Sequence, residues 1–286
     1  MRPELIEASG LLQSPDPAAI DRALALLQKT VFSFSMKVCG HREDAEDTMQ
    51  DVLFKSLPYL RKIENPQALA VWLYKVTRNR CWMSRRRSRF APEHMLSLDE
   101  LMPEPGELEA LLHSAAHSPE AQAISQQNSE RLHEAVLRIP AKYRLILVLH
   151  DMEELSAAEV AKITGLQEGT VRVRLHRARL FVRRELAALA AGKTRPAKRS
   201  KRALLRRPLD CKRIFAGLSD YMDGTLDDAA CARFQSHIQG CAPCVAFLED
   251  LSRAVERCRA SEAPCESTTA HALRKVLLQE YQRLSA

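Results

Sequence analysis

The stretch "LSAAEVAKITGLQEGTVRVRLHRARLFVRREL", residues 155–186, is the strongest local signal in the chain. Ser156 and Glu159 form the Ser-x-x-Glu pattern of a capping box, which starts a helix. The turn "TGLQ" follows with Gly165 at its corner, and a second helix opens near Gly169. A short helix, a tight turn and a basic second helix predict a helix-turn-helix, which fits the major groove of DNA.

The second helix separates its apolar residues from its basic ones. Its buried stripe has helical spacing and consists of Val171, Leu175, Ala178 and Val182. Its other faces carry Arg172, Arg174, His176, Arg177, Arg179 and Arg183. Arginine can grip guanine edges with two hydrogen bonds while neighbouring arginines hold phosphates. The sequence therefore favours DNA binding over the alternative, a solvated basic face on a structural helix pair.

Size and composition favour packed helices. The chain has 286 residues, 46% of them hydrophobic, but aromatics make up only 5% and there are nine glycines, which is lean for a sandwich or barrel. No stretch approaches the ~18 apolar residues of a membrane span, and the N-terminus lacks the apolar core of a signal peptide. We therefore expect an all-α cytoplasmic protein with no membrane partner, whose eight cysteines are thiols or metal ligands.

The formal charge of +7 is arranged in blocks. Residues 72–89 carry seven Lys/Arg and no acid, whereas residues 90–130 carry eight Asp/Glu and no Lys/Arg. Residues 172–184 carry six arginines, and residues 193–207 carry eight basic residues and no acid. Such blocks indicate contact with a polyanion in some segments and avoidance of it in another.

The pattern of apolar residues and breaks divides the chain into helical units and linkers. A first unit covers residues 19–90, followed by an acidic, proline-containing linker, 91–128, with one short helical piece near 107–113. A second unit, 129–190, contains the helix-turn-helix. A basic tether, 191–209, leads to a last unit, 210–286, that fits four short helices.

The first unit contains an acidic helix and a basic helix. In "REDAEDTMQDVLFKSL", residues 42–57, one face is buried and another carries Asp44, Asp47, Asp51 and Phe54. Pro58 and "IENPQA" predict the next breaks, and a helix follows from about Leu69 to Ser88. Its mixture of aromatic and basic residues suits single-stranded nucleic acid, with core packing of Trp72 and Tyr74 as an equal alternative.

The motifs "DAEDTMQDVLFKSL", "WLYKVTRNR" and "LSAAEVAKITGLQEGTVRVRLHRAR" together resemble bacterial extracytoplasmic-function sigma factors over residues 20–190. The resemblance implies that the acidic helix docks on the clamp helices of core RNA polymerase, through Asp44, Asp47, Gln50, Asp51 and Phe54. It implies that the basic helix opens and holds the minus-ten element of promoter DNA, through Trp72, Arg78, Asn79, Arg80 and Arg85. The helix-turn-helix would read the minus-thirty-five element, through Arg172, Val173, Arg174, His176 and Arg177. Val173 stands where a small polar residue is usual, and the acidic linker would thread channels of the polymerase.

The stretch "HIQGCAPC", residues 237–244, predicts a metal site. Cys241 and Cys244 share a face on the first turn of a helix, and His237 lies one turn earlier. A tetrahedral zinc site needs a fourth ligand. Cys231 would lie ~240° and ~9 Å from His237 on one helix, so it is a poor candidate. Cys211 lies across a loop and is free to fold back.

Residues 218–244, "LSDYMDGTLDDAACARFQSHIQGCAPC", are similar to the zinc-binding anti-sigma domain. The resemblance implies one Zn²⁺ held by Cys211, His237, Cys241 and Cys244, although buried thiols without an ion remain the alternative. In that family the domain wraps the sigma factor and blocks polymerase, and in some members oxidation of the thiols expels zinc. A unit of ~75 residues rarely has core enough for ample stability, and a structural zinc contributes ~10–16 kcal/mol. We therefore expect a sigma factor whose C-terminal domain contacts and controls it in cis.

Two other functions compete with this hypothesis. One is a stand-alone helix-turn-helix regulator whose zinc domain mediates dimerisation, but it leaves the acidic helix and linker unexplained. The other is a metal-dependent nuclease. A site closed by four protein ligands has no position for a catalytic water, so we expect no enzymatic activity.

Overall fold

The computed structural model describes residues 2–60, 62–83, 101, 125–193, 209–261 and 268–284. All regular structure in these ranges is helical, which confirms the all-α prediction. Most of the predicted linkers 91–128 and 191–209 lies outside the described residues, as do the short helical piece near 107–113 and Arg85. The domain boundaries drawn from the sequence stay predictions.

The helices run, in chain order, α1 Pro3–Leu11, α2 Pro17–Cys39, α3 Arg42–Leu60, α4 Pro66–Met83, α5 Ser125–Arg138, α6 Ala141–Leu147, a π-helical turn Val148–Met152, α7 Ala157–Thr164, α8 Glu168–Ala190, α9 Leu209–Met222, α10 Asp228–Gly240, α11 Ala242–Arg259 and α12 Thr268–Arg283. The chain forms two compact units. The first contains Met1–Arg89, Val148–Glu168 and Glu262–Ala286, and the second contains Phe90–Leu147 and Gly169–Ser261.

In the first unit, α1 to α4 pack together with α7, the π-helical turn and α12. The caps set the helix ends. Asp16 accepts a hydrogen bond from the amide of Ala18 at the start of α2, and Gly40 ends α2 with a φ of 79°, a left-handed conformation that favours glycine. Asn65 accepts from two amides at the start of α4, so this helix begins three residues before the predicted Leu69.

Two local features of the first unit differ from expectation. Pro58 was predicted to break the helix, but α3 continues through it to Leu60. Proline removes its own N–H bond to the preceding turn and its ring crowds the carbonyl of Phe54, and α3 ends two residues after it. Helix α1, which precedes the first predicted unit, buries Leu5 and Ala8 completely.

The second unit packs α5 and α6 with α8, and brings α9, α10 and α11 together as a small bundle. The rings of Tyr143 and Phe181 stack with centroids 5.6 Å apart, joining α6 to α8. Within the bundle, Tyr221 stacks on Phe234 at 4.0 Å. Four helices were predicted for residues 210–286, and the described residues of this range form four, α9 to α12. The last of them, α12, belongs to the first unit.

Among the described residues, no helix combines the length and the apolar character that a membrane crossing requires.

Candidate metal centre and nucleic-acid interface

The bundle of α9, α10 and α11 brings the four predicted metal ligands together. Cys211 lies in the first turn of α9 and His237 in the last turn of α10. Cys241 is the residue before α11, and Cys244 lies in its first turn. The four donor atoms all lie within 4.8 Å of one another, and the Cys211 Sγ is 3.7 Å from the His237 Nε2.

The donor set fits a zinc ion. A tetrahedral zinc ion with bonds of ~2.3 Å to sulfur and ~2.0 Å to nitrogen holds these two atoms ~3.5 Å apart, close to the 3.7 Å between the Cys211 Sγ and the His237 Nε2. Burial raises the pKa of the Cys244 thiol far above its usual range, and the hydrogen bond with Cys241 and the charge of Cys211 raise it further. Three thiolates would repel one another here without a cation, whereas a bound dication favours their deprotonated form.

Cys231, which the spacing disfavoured as a ligand, is not part of this group. None of the described cysteines forms a disulfide, and Cys258 is fully buried in α11. Cys265 lies outside the described residues. The geometry therefore marks out one set of four ligands in the described part of the chain.

The second helix of the helix-turn-helix, α8, packs through its basic face against the bundle of α9, α10 and α11, which carries the four candidate ligands. The Arg179 guanidinium donates to both carboxylate oxygens of Asp223, at 2.9 and 2.7 Å, and its side chain is fully buried. The Nε of Arg183 lies 2.6 Å from a carboxylate oxygen of Asp250. Its guanidinium also lies over the Phe247 ring, 4.4 Å from the centroid.

His176 takes part in the same contact. Its Nδ1 lies 3.0 Å from the hydroxyl of Ser219, and its ring meets the edge of Phe215 at 5.6 Å. Burial lowers the pKa of His176 to about 4, and the charges of Arg179 and Arg177 act in the same direction. The imidazole is therefore neutral at physiological pH, and it is covered by the bundle rather than available to a base edge.

The other residues predicted to contact DNA on α8 are more open. Val173 is 58% exposed, and Arg172, Arg174 and Arg177 are half-buried. Arg177 also donates to the hydroxyl of Tyr143 at 3.3 Å. The bundle thus covers the face of α8 that carries His176, and leaves the face around Val173 uncovered.

On α4, several of the predicted minus-ten residues have partners within the first unit. Arg78 donates to the carbonyl of Ile163 at 2.5 Å, and Arg80 pairs with Asp51 at 2.9 Å. The half-buried ring of Trp72 lies 5.9 Å from the ring of Tyr59, and Asn79 is exposed. Arg85 lies outside the described residues.

On α3, Asp47 and Gln50 are exposed, while Asp44 and Phe54 are half-buried. Asp51 is half-buried and also pairs with Lys55. The C-terminal helix α12 packs on α2 and α3. It buries Leu273, Leu277 and Tyr281, and the Tyr281 hydroxyl donates to the carbonyl of Leu12 at 3.2 Å. Helix α12 therefore covers part of the first unit without burying the predicted polymerase contacts Asp47 and Gln50.

Sequence reasoning did not assign roles to Asp223, Asp250 and Ser219, the bundle residues that hold α8. Asp223 lies in the "YMDG" motif, but nothing in a local pattern says which arginine such an acid will meet. His176, Arg179 and Arg183 are spaced three and four residues apart, so they share one helical face. In the sequence, this spacing indicates that the three side chains can contact the same partner.

Comparisons with known proteins match three segments of this chain. Family models described as "Sigma-70 region 2", "Sigma-70, region 4" and "Putative zinc-finger" match residues 24–90, 129–182 and 211–244. The ECF RNA polymerase sigma factor SigW of Bacillus subtilis is 24% identical over 61% of this chain and 92% of its own length. The ECF RNA polymerase sigma factor SigE of Mycolicibacterium smegmatis is 30% identical over 55% of this chain and 57% of its own length.

One solved structure that is similar to this chain is the sigma factor RpoE in complex with the anti-sigma factor NepR from Bartonella quintana. It is 21% identical and covers 57% of this chain and 94% of that chain, with a TM-score of 0.40.

The chain therefore carries sigma-70 regions 2 and 4 followed by a zinc-finger domain, and its homologues are extracytoplasmic-function sigma factors. Sigma factors direct RNA polymerase to promoters and have no catalytic activity of their own, so the homologues confirm the prediction of a non-enzyme.

Proposed function

We propose that this protein is a sigma factor that binds core RNA polymerase and promoter DNA in the cytoplasm, and whose C-terminal metal-binding bundle inhibits it in cis. The observation that carries the proposal is the buried pairing of Arg179 with Asp223. An arginine on the DNA-reading helix of region 4 is fully desolvated by the zinc-finger segment of the same chain. While that contact persists, this face of α8 cannot meet a phosphate or a base.

The contact is specific because it pairs opposite charges. Both acids of the bundle that hold α8, Asp223 and Asp250, pair with arginines. Their carboxylates occupy the position that phosphates would take beside Arg179 and Arg183, so the bundle acts as a mimic of the DNA backbone.

The zinc ligands connect this contact to a signal. Cys211 lies in the first turn of α9, the helix that leads to Ser219 and Asp223. Cys241 and Cys244 lie at the start of α11, which carries Phe247 and Asp250. A bound zinc ion would therefore fix the two helices that grip α8. Zinc loss or thiol oxidation would loosen the bundle and release the face of α8 that carries His176, Arg179 and Arg183.

The finer assignments follow from the same proposal. On this account the exposed residues Asp47 and Gln50 contact polymerase, with Asp44, Asp51 and Phe54 beside them. Trp72, Arg78, Asn79, Arg80 and Arg85 engage the minus-ten element. After release of the bundle, Arg172, Val173, Arg174, His176 and Arg177 read the minus-thirty-five element.

Promoter-dependent transcription with purified core polymerase tests the proposal. We expect the full-length protein with zinc to be weakly active, and the same protein stripped of zinc, or truncated before Leu209, to be more active. The variant Asp223→Asn should be partly released, whereas Asp228→Asn, an exposed acid on α10, should match the wild type. Equal activity of the zinc-loaded and zinc-free full-length protein, with Asp223→Asn unchanged, would exclude cis inhibition by the bundle.

A further inference from the structure

Glu153, which lies between the π-helical turn and α7, is the centre of a buried polar cluster in the first unit. The Nζ of Lys37 is 2.9 Å from one of its carboxylate oxygens, and both side chains are 1% exposed. The Tyr74 hydroxyl donates to the other oxygen at 2.7 Å. The Nε of Arg2 lies 3.1 Å from that same oxygen and also donates to the carbonyl of Met152 at 2.8 Å.

The cluster joins the two sigma regions. Lys37 and Tyr74 lie within the match to region 2, residues 24–90, and Glu153 lies within the match to region 4, residues 129–182. A second hydrogen bond also joins region 2 to region 4. Arg78 donates it to the carbonyl of Ile163 in the last turn of α7. The carbonyls at a helix C-terminus lack partners within the helix, so this bond satisfies one of them.

The first helix of the helix-turn-helix is therefore held against α4, the helix predicted to engage the minus-ten element. The minus-ten and minus-thirty-five elements are centred ~25 base pairs apart, which at ~3.4 Å per base pair is ~85 Å along the DNA. Region 2 and region 4 cannot read elements that far apart while Glu153 contacts Lys37 and Tyr74 directly.

We propose that the Glu153 cluster is a lock within the sigma regions themselves, which holds α7 on α2 and α4 and must open before both promoter elements are engaged. The inference rests on the proposed promoter function but not on the metal-binding bundle, since Glu153 and its partners lie in the first unit and the bundle lies in the second. Arg78 adds to the lock because a residue predicted to contact DNA is occupied by α7.

The chemistry of the cluster suits a contact that opens. Ions paired in a protein interior lose hydration that they regain on opening, so the net stabilisation by a buried ion pair is small. Losing one partner while the cluster stays closed is much worse, since it leaves a charge buried and uncompensated. Such a cluster forms and separates as a whole, because a partly broken cluster leaves a charge unpaired in the protein interior.

Hydrogen–deuterium exchange of the full-length, zinc-loaded protein tests whether the cluster holds α7. In Tyr74→Phe, which removes one hydrogen bond to a charged group and leaves no new charge unpaired, we expect amides 157–164 to exchange about tenfold faster. The matched control is Arg22→Gln, which removes an exposed ion pair of α2 with Glu7 and should leave α7 unchanged. Glu153→Gln should have a larger effect, and if it does not fold, Arg78→Gln replaces it.

Transcription with the zinc-stripped full-length protein then tests whether the contact limits promoter use. We expect Tyr74→Phe to initiate several-fold more transcripts than the zinc-stripped wild type, with Arg22→Gln unchanged. Unchanged exchange of α7 in both Tyr74→Phe and Arg78→Gln would overturn the proposal, as would loosened exchange without any gain in transcription. Cis inhibition by the bundle is judged separately, from the wild type with and without zinc, so either idea can fail alone.

Discussion

Arg179 on α8 forms two hydrogen bonds with Asp223 of the α9–α11 bundle, and none of the arginine side chain is exposed. Two parallel bonds between a guanidinium and a carboxylate fix geometry as well as charge. The pair therefore ties the position of the bundle to one face of α8.

Replacing Asp223 with asparagine should weaken the second unit by about 3 kcal/mol, because a buried arginine loses its counter-charge. Denaturant unfolding followed by exchange of the α8 and α9 amides measures the loss. The control is Asp228→Asn, an exposed acid in the first turn of α10, which should cost less than about 1 kcal/mol. Equal effects of the two variants would contradict a specific role for the pair.

Replacing Cys241 with serine should abolish stable zinc binding, with affinity reduced more than about a hundredfold, since a ligand has a larger effect than the partners that orient it. Cys231→Ser is a matched control because Cys231 lies on α10 but outside the ligand group. The zinc-to-protein ratio and the exchange of residues 209–259 report both effects. Retention of zinc by Cys241→Ser, or its loss from Cys231→Ser, would mean that the ligand set is wrong.

Acid should loosen the contact between α8 and the bundle. The pKa of His176 is lowered from 6.5 to about 4 in the folded protein, so the unfolded or released state binds more protons below pH 6.5. The contribution of His176 to the free energy of unfolding is fully present above pH 6.5. It falls by about 1.4 kcal/mol per pH unit down to pH 4.

The matched comparison for this pH effect is His176→Gln, which keeps a polar side chain without the titration. Burial raises the pKa of Glu185, which gives a slope of opposite sign, so the difference between wild type and His176→Gln is the quantity to measure. The difference in the free energy of unfolding between the two proteins should shrink as the pH falls from 6.5 to 5. A difference that stays constant over this range would contradict the neutral, buried state of His176.

Truncating Leu277, a fully buried residue of α12, should detach this helix from the rest of the first unit. A buried leucine changed to alanine costs about 2–5 kcal/mol, enough to favour release of a helix held by few anchors. Val276→Ala is the control, because Val276 is 49% exposed on the same helix. Limited proteolysis should cut α12 faster in Leu277→Ala only, and equal rates would show that α12 is held by other contacts.

Local patterns predicted the parts of this protein that depend on neighbours in sequence. The capping box of Ser156 and Glu159 is present with both of its hydrogen bonds, and Gly165 has a φ of 72° at the turn. The candidate ligand His237 was found because it lies one helical turn before Cys241. In each case the partners are a few residues apart, so spacing alone is informative.

The rest depends on contacts between distant segments. The bond from Arg2 to Met152 spans 150 residues, and nothing near either residue signals it. Arg78 and His176 were assigned to DNA from the resemblance to sigma factors, yet both have partners inside the protein. A basic face has the same sequence pattern whether it meets phosphates or the carboxylates of its own chain, so only the tertiary structure separates the two.

Cys211 lies in the first turn of the helix that leads to Asp223, and Cys244 in the first turn of the helix that carries Asp250. On the proposed function, the metal affinity and the promoter affinity of this chain should therefore be thermodynamically linked. If zinc opposes DNA binding by some factor, DNA must oppose zinc binding by the same factor. A duplex bearing the minus-thirty-five sequence would then act as an extractant of the metal. The zinc dissociation constants measured with and without saturating duplex should differ by a factor equal to the ratio of the DNA dissociation constants of the zinc-loaded and zinc-free protein.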